Sequence, residues 1–288
     1  MSKNLTFADS SCDLEGARFV IFGVPFDATC SFRSGARQGP NKIRESSYNF
    51  EPYMFEHAGD VSKVPFCDVG NSEEFGNAES MTKGVYENVK GFVDRGKFPI
   101  MLGGEHSITP PAVRCFRDVG VISLDAHMDF RNSYLDERNS HACATRRISE
   151  HVGVQNVVPI GVRSFSEEER EDAERMGLAH VSAFELLEGM SIEKAIKTAL
   201  KHIRSERIYL TLDIDVVDPA YAPAVGTPEP FGLHPYDVKK AIDLLGDRLV
   251  GFDLVEVSPP WDHGNTAALA ARLVREVLMV VGGKMEKK

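Results

Sequence analysis

Residues 119–129 read VGVISLDAHMD, a short apolar run that leads directly into aspartate and histidine. Because the run Val119–Asp125 is apolar without alternation, it is typical of a strand buried on both faces, as in a parallel sheet. Seven further runs of this kind, of which the one at 179–182 is the weakest, are Phe19–Pro25, Val64–Gly70, Phe98–Gly104, Val157–Val162, Ala179–Ser182, Ile208–Leu212 and Leu249–Val257. The sequence therefore predicts about eight buried strands.

Longer segments with helical periodicity lie between many of these runs. They are Met81–Arg95, Ser191–Arg204, Pro235–Leu245 and Asn265–Val281. The alternation of buried strands with such helices indicates an α/β fold. It leaves open whether the strands close into an eight-stranded barrel or form an open, doubly wound sheet. In both folds ligands bind at the carboxyl ends of the strands, so we expect the chemistry there.

Composition limits the possible functions and the number of domains. The chain has 288 residues, of which 33 are basic and 43 acidic, so the formal net charge is −10. No dense run of lysine or arginine is present to follow a phosphate backbone, and nucleic acid is therefore not expected as a partner. The length allows two domains, but we find no linker, repeat or change of composition. We interpret residues 1–288 as one domain.

Three features favour the reducing cytoplasm and argue against a membrane partner. The first ten residues lack the apolar core of a signal peptide. No apolar run approaches the roughly 18 residues needed to cross a bilayer. The five cysteines are odd in number and form no C-x-x-C motif, so they suggest neither a disulfide framework nor a cysteine zinc site. We expect a cytoplasmic protein.

Three predicted strand ends are rich in side chains that bind metals. They read GGEHS at 103–107, SLDAHMD at 123–129 and TLDIDVVDP at 211–219. In an extended strand Asp125 and Asp129 would lie roughly 13 Å apart, so the chain must curl there if both are to hold one ion. Asp213 and Asp215 are two residues apart and share a face, which suits adjacent ions about 3.5–4 Å apart.

The charge of these clusters favours divalent cations. A common site would contain four carboxylates, those of Asp125, Asp129, Asp213 and Asp215, which repel one another strongly without counterions. Together with His106 and His127 they form a hard donor set, made mostly of oxygen, that favours Mn²⁺ and leaves zinc, iron and cobalt open. A single aspartate at a strand end is usually a helix cap, and a lone histidine is usually a satisfied polar residue. Three clusters together favour the metal site.

The clusters resemble the metal motifs of the ureohydrolase family, the arginases and agmatinases. The similarity begins at GVPFD (23–27) and GARQGP (35–40), passes through the three clusters and ends at EVSPP (256–260). The first and last of these segments look more like agmatinase than arginase. The resemblance implies an open three-layer α/β/α sandwich whose mostly parallel sheet has about eight strands.

The resemblance also implies two Mn²⁺ ions per chain and their ligands. One ion would be held by His106, Asp125, Asp129 and Asp213. The other would be held by Asp125, His127, Asp213 and Asp215, so that Asp125 and Asp213 bridge the pair.

The activity that the resemblance implies is hydrolysis of a guanidino compound by a metal-bridging hydroxide. In this interpretation Asp129 orients the nucleophile while remaining a ligand, and His141 carries a proton to the departing amine. Glu256 binds the guanidinium, whose paired N–H groups suit a carboxylate.

The expected substrate is a small cationic guanidino compound, and first among these agmatine, which would yield putrescine and urea. Residues Phe130–Tyr134 do not look like the polar segment with which arginases hold the amino-acid head group. Two positions depart from the family pattern and bear on the pocket. Ala142 follows the proposed shuttle histidine where glycine is usual, and Phe231 stands where glycine is common. Phe231 belongs to the proline-rich loop 214–231, whose length predicts a functional segment.

Several alternatives stay open at this point. The substrate could be guanidinobutyrate or arginine, the enzyme could be a single-metal hydrolase of the deacetylase type, or the chain could be a non-catalytic, metal-bearing homologue. A homo-oligomer, either a trimer or a hexamer, is expected from the resemblance alone.

Overall fold

The computed structural model describes residues 5–283, which contain ten strands and nine α-helices. The strands are β1 (Phe19–Val24), β2 (Tyr53–Met54), β3 (Gly59–Asp60), β4 (Phe66–Asn71), β5 (Phe98–Gly103), β6 (Gly120–Leu124), β7 (Val157–Val162), β8 (Val181–Ser182), β9 (Ile208–Asp213) and β10 (Leu249–Val255). The helices are α1 (Gly39–Ser47), α2 (Ala78–Asp94), α3 (Thr109–Val113), α4 (Ala144–Val152), α5 (Glu167–Met176), α6 (Ala183–Leu187), α7 (Ile192–His202), α8 (Pro235–Leu245) and α9 (Asn265–Gly282).

Some sequence-based predictions extend beyond this range or are not tested by it. The described residues do not include 1–4 and 284–288. The first four belong to the N-terminal segment in which no signal core is expected. The single domain over 1–288 stays a prediction. Within 5–283, no helix is long and apolar enough to span a membrane.

Eight of the strands form one parallel sheet, as the apolar runs predict. Its order is β4-β1-β5-β10-β9-β6-β7-β8, and each of its pairings is parallel within the described range. The edge strands β4 and β8 do not pair with each other, so the sheet is open and the barrel alternative is excluded. Strands β2 and β3 form a separate antiparallel pair, which the sequence did not indicate.

Helices cover both faces of this sheet, which confirms the three-layer α/β/α sandwich. The two faces of β9 alternate: Leu210 and Leu212 point into one core, and Tyr209 points into the other. The first core is completed by residues of α1, α7, α8 and α9, namely Ile43, Ile196, Ile242 and Val274. The second is completed by residues of α2, α3, α4 and α5, namely Val85, Ala112, Ile148 and Ala173. Strands buried on both faces explain the continuous apolar runs.

The strand order brings the polar strand ends together. Strands β5, β10, β9 and β6 are consecutive neighbours in the sheet. In register, Leu102 lies opposite Leu254, Val255 opposite Asp213, and Leu124 opposite Leu212. The residues that follow these strands therefore emerge side by side at one edge of the sheet, which is where ligands bind in open α/β folds.

The loop that follows β9 returns to its own start before α8 begins. Val217 forms a bridge with Leu233, and the backbone N–H of Gly232 donates to the Asp218 carboxylate at 2.9 Å. Between these contacts Phe231 has φ 67° and a side chain that is 66% exposed. This left-handed conformation costs a non-glycine residue about 1–2 kcal/mol, a penalty that glycine would not meet.

We expect Phe231→Gly to be more stable than Phe231→Ala by about 1 kcal/mol, because only glycine adopts this φ without a steric penalty. Both variants remove the same exposed ring, so the difference between them isolates the backbone effect. Urea unfolding of the two proteins measures it. A glycine variant no more stable than the alanine variant would contradict the strain at this position.

Candidate active site

The three sequence clusters meet at the carboxyl edge of the sheet. His106 follows β5, Asp125 follows β6 directly, and Asp213 ends β9. The chain curls after β6 as the spacing of its aspartates requires, and Asp129 adopts φ 50° in the left-handed region. The curl returns Asp129 to the same group of side chains as Asp125.

The first ligand group surrounds the imidazole of His106. Its Nδ1 lies 3.1 Å from Asp125 Oδ2, 3.2 Å from Asp129 Oδ2 and 3.4 Å from Asp213 Oδ2. His106, Asp125 and Asp213 offer ligand atoms close enough to share one ion. All four side chains are buried.

The second ligand group surrounds His127, and Asp125 belongs to both groups. His127 Nδ1 lies 2.9 Å from Asp215 Oδ2 and 3.8 Å from Asp125 Oδ1. Asp125, His127 and Asp215 are again close enough for one ion. Asp213 contributes to the first group, and its predicted role as a second bridge stays a prediction.

Two buried atoms of the first group indicate that this arrangement suits a cation. Within residues 5–283, neither His106 Nδ1 nor Asp125 Oδ2 has a hydrogen-bond partner, although both are buried. Buried polar atoms are usually paired, and an unpaired one calls for a partner such as a water or an ion. Both are ligand atoms of a mostly oxygen donor set, so these residues fit a divalent metal ion.

The electrostatics of the cluster lead to the same conclusion. Burial disfavours a charged His106, yet the carboxylates of Asp125, Asp129 and Asp213 outweigh it and raise the pKa of His106 well above its usual value. Burial would also lower the pKa of His127, but the charge of Asp215 and its hydrogen bond to the imidazole outweigh burial and raise that pKa to about 10. A potential negative enough to hold protons on two imidazoles also attracts metal cations.

The aspartates titrate in opposite directions because their neighbours differ. Burial, and then the charge of Asp125, raise the pKa of Asp129 to about 7. Burial would also raise the pKa of Asp215, but the adjacent His127 overcomes it and lowers that pKa to about 2. The cluster therefore cannot carry all its negative charges without compensation.

A hydrogen-bonded chain beneath the cluster orients His106. The Thr211 hydroxyl donates to Asp253 Oδ1 at 2.5 Å, and Tyr209 donates to Asp253 Oδ2 at 2.8 Å. Because the single hydroxyl proton of Thr211 is used in this way, its Oγ1 accepts from His106 Nε2–H at 2.9 Å. With Nε2–H bonded to Thr211, Nδ1 faces the three aspartates and is the atom that would bind a metal in place of its proton, as in many metal-ligating histidines.

Glu256 lies beside the cluster in a strained position. It follows β10 with φ 65°, its Oε1 accepts from the His106 backbone N–H at 2.8 Å, and its own N–H donates to the Gly104 carbonyl. Burial, and next the charge of Glu105, raise the pKa of Glu256 well above its usual value. Such a carboxylate gains from a bound cation that restores its charged form.

His141 approaches the cluster from the start of α4. Its Nδ1 lies 3.1 Å from Thr29 Oγ1, and the Thr29 hydroxyl donates to Glu105 Oε1 at 2.6 Å. Since that proton is used on Glu105, Thr29 accepts from His141 Nδ1–H, which leaves Nε2 unprotonated and able to accept. The Ser31 hydroxyl lies 3.5 Å from this Nε2. Burial, followed by the positive charges of His127 and His106, lowers the pKa of His141 to about 4.

One cavity of about 320 Å³ joins these groups. Of the residues predicted from the sequence, those that line it are His127, Asp129, His141, Asp213, Asp215 and Glu256. Its wall includes Ala142 but, within the described part of the chain, not Phe231. Phe231 therefore acts on the loop backbone and not on the cavity wall.

Several residues of the site were not identified from the sequence as functional. Glu105 lies within the GGEHS cluster and Asp253 within the predicted strand 249–257, so their positions were an available signal. Thr29 comes from a loop 112 residues before His141, and no local pattern marks it. Arg131 and Glu229 line the cavity as single charged residues in polar loops, which sequence alone cannot tell from solvated surface.

The comparisons with known proteins agree with this geometry. The model of the arginase family matches residues 17–280. An agmatinase of Bacillus anthracis is 36% identical over 282 residues, which cover 95% of each protein. An N(1)-aminopropylagmatine ureohydrolase of Thermococcus kodakarensis is also 36% identical, over 90% of this chain and 89% of that protein.

Among solved structures, the agmatine ureohydrolase of Thermoplasma volcanium superposes with a TM-score of 0.95 at 40% identity. The match covers 100% of this chain and 98% of that one. The chain therefore belongs to the arginase family and is a hydrolase that acts on the C–N bonds of amidines.

Proposed function

We propose that this hydrolase is a manganese-dependent agmatinase, which converts agmatine and water to putrescine and urea. One observation carries the proposal: two ligand groups that share Asp125 open onto a cavity that also contains Glu256 and His141. The agmatinase and agmatine ureohydrolase named above support the choice of substrate.

The donor set supports two ions of Mn²⁺. Four carboxylates and two imidazoles, with no thiolate, suit a hard or borderline metal. In the proposal one ion lies among His106, Asp125, Asp129 and Asp213, and the other among Asp125, His127, Asp213 and Asp215. When bound, such a pair lowers the pKa of water enough to supply hydroxide at neutral pH.

The protein's own residues would bind and orient the substrate. The Glu256 carboxylate accepts N–H bonds from the planar guanidinium and places its carbon over the ligand groups. Holding the two reactants in line removes much of the entropic barrier to attack on a resonance-stabilised group. Asp129, at the end of the curl after β6, would orient the attacking water.

His141 would move the proton that the leaving group needs. Hydroxide addition to the guanidinium carbon gives a tetrahedral intermediate, which must expel an alkylamine to form urea. With Nδ1–H donated to Thr29, the Nε2 of His141 would accept the proton of the intermediate's new hydroxyl, as the urea carbonyl forms, and return it to the departing nitrogen. Its lowered pKa keeps the imidazole neutral, and so able to accept, at neutral pH.

Two observations favour alternative guanidino substrates. The cavity wall contains Arg131, a cation that could meet the carboxylate of guanidinobutyrate or arginine. A relative of equal identity is named for N(1)-aminopropylagmatine, which carries an extended amine. A non-catalytic role remains the alternative from another functional class. We also propose a cytoplasmic homo-oligomer, either a trimer or a hexamer, that binds neither membranes nor nucleic acid.

A substrate panel with metal analysis tests the proposed function. We expect the Mn²⁺-loaded protein to contain about two ions per chain and to release urea fastest from agmatine. The panel includes N(1)-aminopropylagmatine, guanidinobutyrate and arginine, and light scattering on the same preparation tests the trimer or hexamer. Turnover of arginine alone would refute the agmatine assignment. One ion per chain would refute the binuclear site, and no urea at all would favour the non-catalytic alternative.

Asp125→Asn should weaken metal binding but stabilise the metal-free protein. We expect metal content to fall to about one ion per chain or less and activity to be lost, because Asp125 belongs to both ligand groups. The metal-free variant should be more stable than metal-free wild type by about 1 kcal/mol, since one of four crowded charges is gone. Thermal unfolding with and without a chelator measures both effects.

The matched control for this variant is Asp94→Asn, which changes an exposed aspartate at the end of α2. It should bind both ions, and removing them with a chelator should lower its stability as much as that of wild type. An Asp125→Asn protein that retained the ions and the activity of this control would contradict the shared role of Asp125.

His141→Ala should lower kcat by about 10²–10⁴-fold, the usual contribution of a general acid–base residue. Metal content and the KM for agmatine should change little, because the structure places His141 against Thr29 and not in a ligand group. Added imidazole should restore part of the rate. His180→Ala, at an exposed histidine, is the control. A normal kcat in His141→Ala would exclude its proton-transfer role.

A further inference from the structure

We propose that Glu229 binds the positively charged group at the far end of the substrate, so that the site selects guanidino compounds that end in an amine. The inference rests on the proposed function, in which Glu256 binds the guanidinium, and extends it to the opposite end of the ligand. It makes Glu229 a specificity-determining residue of the cavity.

The position of Glu229 relative to Glu256 supports this assignment. Both residues line the same cavity. A Cβ placed on Gly226 would lie 3.4 Å from Glu256 Oε2, so the loop passes directly beside the guanidinium-binding carboxylate. Glu229 follows three residues later, and three residues span at most about 10 Å. A guanidino group and an amine joined by a short alkyl chain can bridge such a distance.

Arg163 holds the backbone of Glu229 in place. Its guanidinium donates to the carbonyls of Glu229 and Pro230 through Nε at 3.1 Å and to the carbonyl of Glu229 again through Nη2 at 2.8 Å. The same Nη2 donates to the carbonyl of Asp215 at 2.7 Å. One side chain thus ties the backbone of the loop to the backbone of Asp215, a candidate metal ligand, and constrains how far Glu229 lies from the ligand groups.

The Glu229 carboxylate itself is available to a ligand. Arg163 is hydrogen-bonded to backbone carbonyls, and within residues 5–283 the carboxylate accepts one hydrogen bond, from the Ser164 hydroxyl to Oε1 at 2.8 Å. Its second oxygen, Oε2, has no protein donor in that range. The side chain is partly exposed. A carboxylate oriented by one hydroxyl and open on its other side is well suited to bind an ammonium group.

The other charged residues at this end of the cavity compensate one another. Arg131 Nη2 lies 3.2 Å from Glu169 Oε2, and the Arg131 guanidinium stacks on the Tyr134 ring at 5.0 Å. Arg131 is therefore neutralised by a buried carboxylate. Arg163 also interacts electrostatically with Glu229, but its N–H groups bond to backbone carbonyls, and its charge is shared with Asp215 and other carboxylates. The remaining charge favours a distal ammonium over the distal carboxylate of guanidinobutyrate.

The experiment compares agmatine with butylguanidine, which has the same alkyl length but no amine, in wild type and Glu229→Gln. Glutamine preserves the shape and can still accept from Ser164. We expect kcat/KM for agmatine to fall about 10- to 100-fold, through KM, with kcat nearly unchanged, because one charge-assisted hydrogen bond is lost. The values for butylguanidine should not change, so the preference for agmatine disappears. Glu87→Gln, at an exposed glutamate on α2, is the control.

Calorimetric binding of both compounds to the Mn²⁺-loaded proteins separates the two hypotheses. If wild type releases urea from agmatine but Glu229→Gln has an unchanged KM and affinity, the role of Glu229 is wrong and the proposed function stands. Equal losses for agmatine and butylguanidine would also overturn that role, because they indicate general damage. If wild type releases no urea from any compound, the proposed function fails. In that case a selective loss of agmatine affinity in Glu229→Gln would still support the subsite.

Discussion

The structure depends on the repulsion among four aspartates that are held in one small volume at the carboxyl edge of the sheet. Asp125, Asp129, Asp213 and Asp215 are all buried, with the imidazoles of His106 and His127 beside them. Removing such charges from water costs several kcal/mol each unless partners compensate for it. The raised pKa of Asp129 and of both histidines expresses that cost as bound protons. Cations would replace those protons and turn the repulsion into binding energy.

The sheet and its hydrogen bonds keep this unfavourable arrangement in place. The consecutive strands β5, β10, β9 and β6, which are buried on both faces, set the spacing of the side chains that follow them. Asp129 and Glu256 both adopt positive φ values, which cost energy and persist where the surroundings determine the conformation. For Glu256 those surroundings are the bonds to His106 and Gly104, both in the segment that follows β5. The rigid core therefore stabilises the strain that the site requires.

How well each part of the fold and the site could be predicted depends on whether neighbouring residues in the sequence carry the signal for it. Buried parallel strands are continuous apolar runs, so all eight strands of the sheet were recognised, and α8 begins and ends where predicted. Helix α5 was not predicted because its sequence, EEEREDAERM, offers almost no apolar face; its start depends on the capping box of Ser166 and Glu169. The contact from Glu105 through Thr29 to His141 was not predictable, because the three residues come from distant loops. The choice between barrel and open sheet required the strand pairings themselves.

The same contrast separates the two ends of the cavity. The metal-ligand groups and Glu256 at the reactive end follow neighbouring strands, so the sheet sets their geometry and their motifs can be read from the sequence. The far end is built from side chains on the loops after β7 and β9, where Arg163 binds carbonyls rather than side chains of its partner loop. A clamp of this kind holds the backbone and places few demands on residue identity at Glu229. Substrate choice can therefore change by substitution on the clamped loop while the chemistry at the sheet edge stays intact.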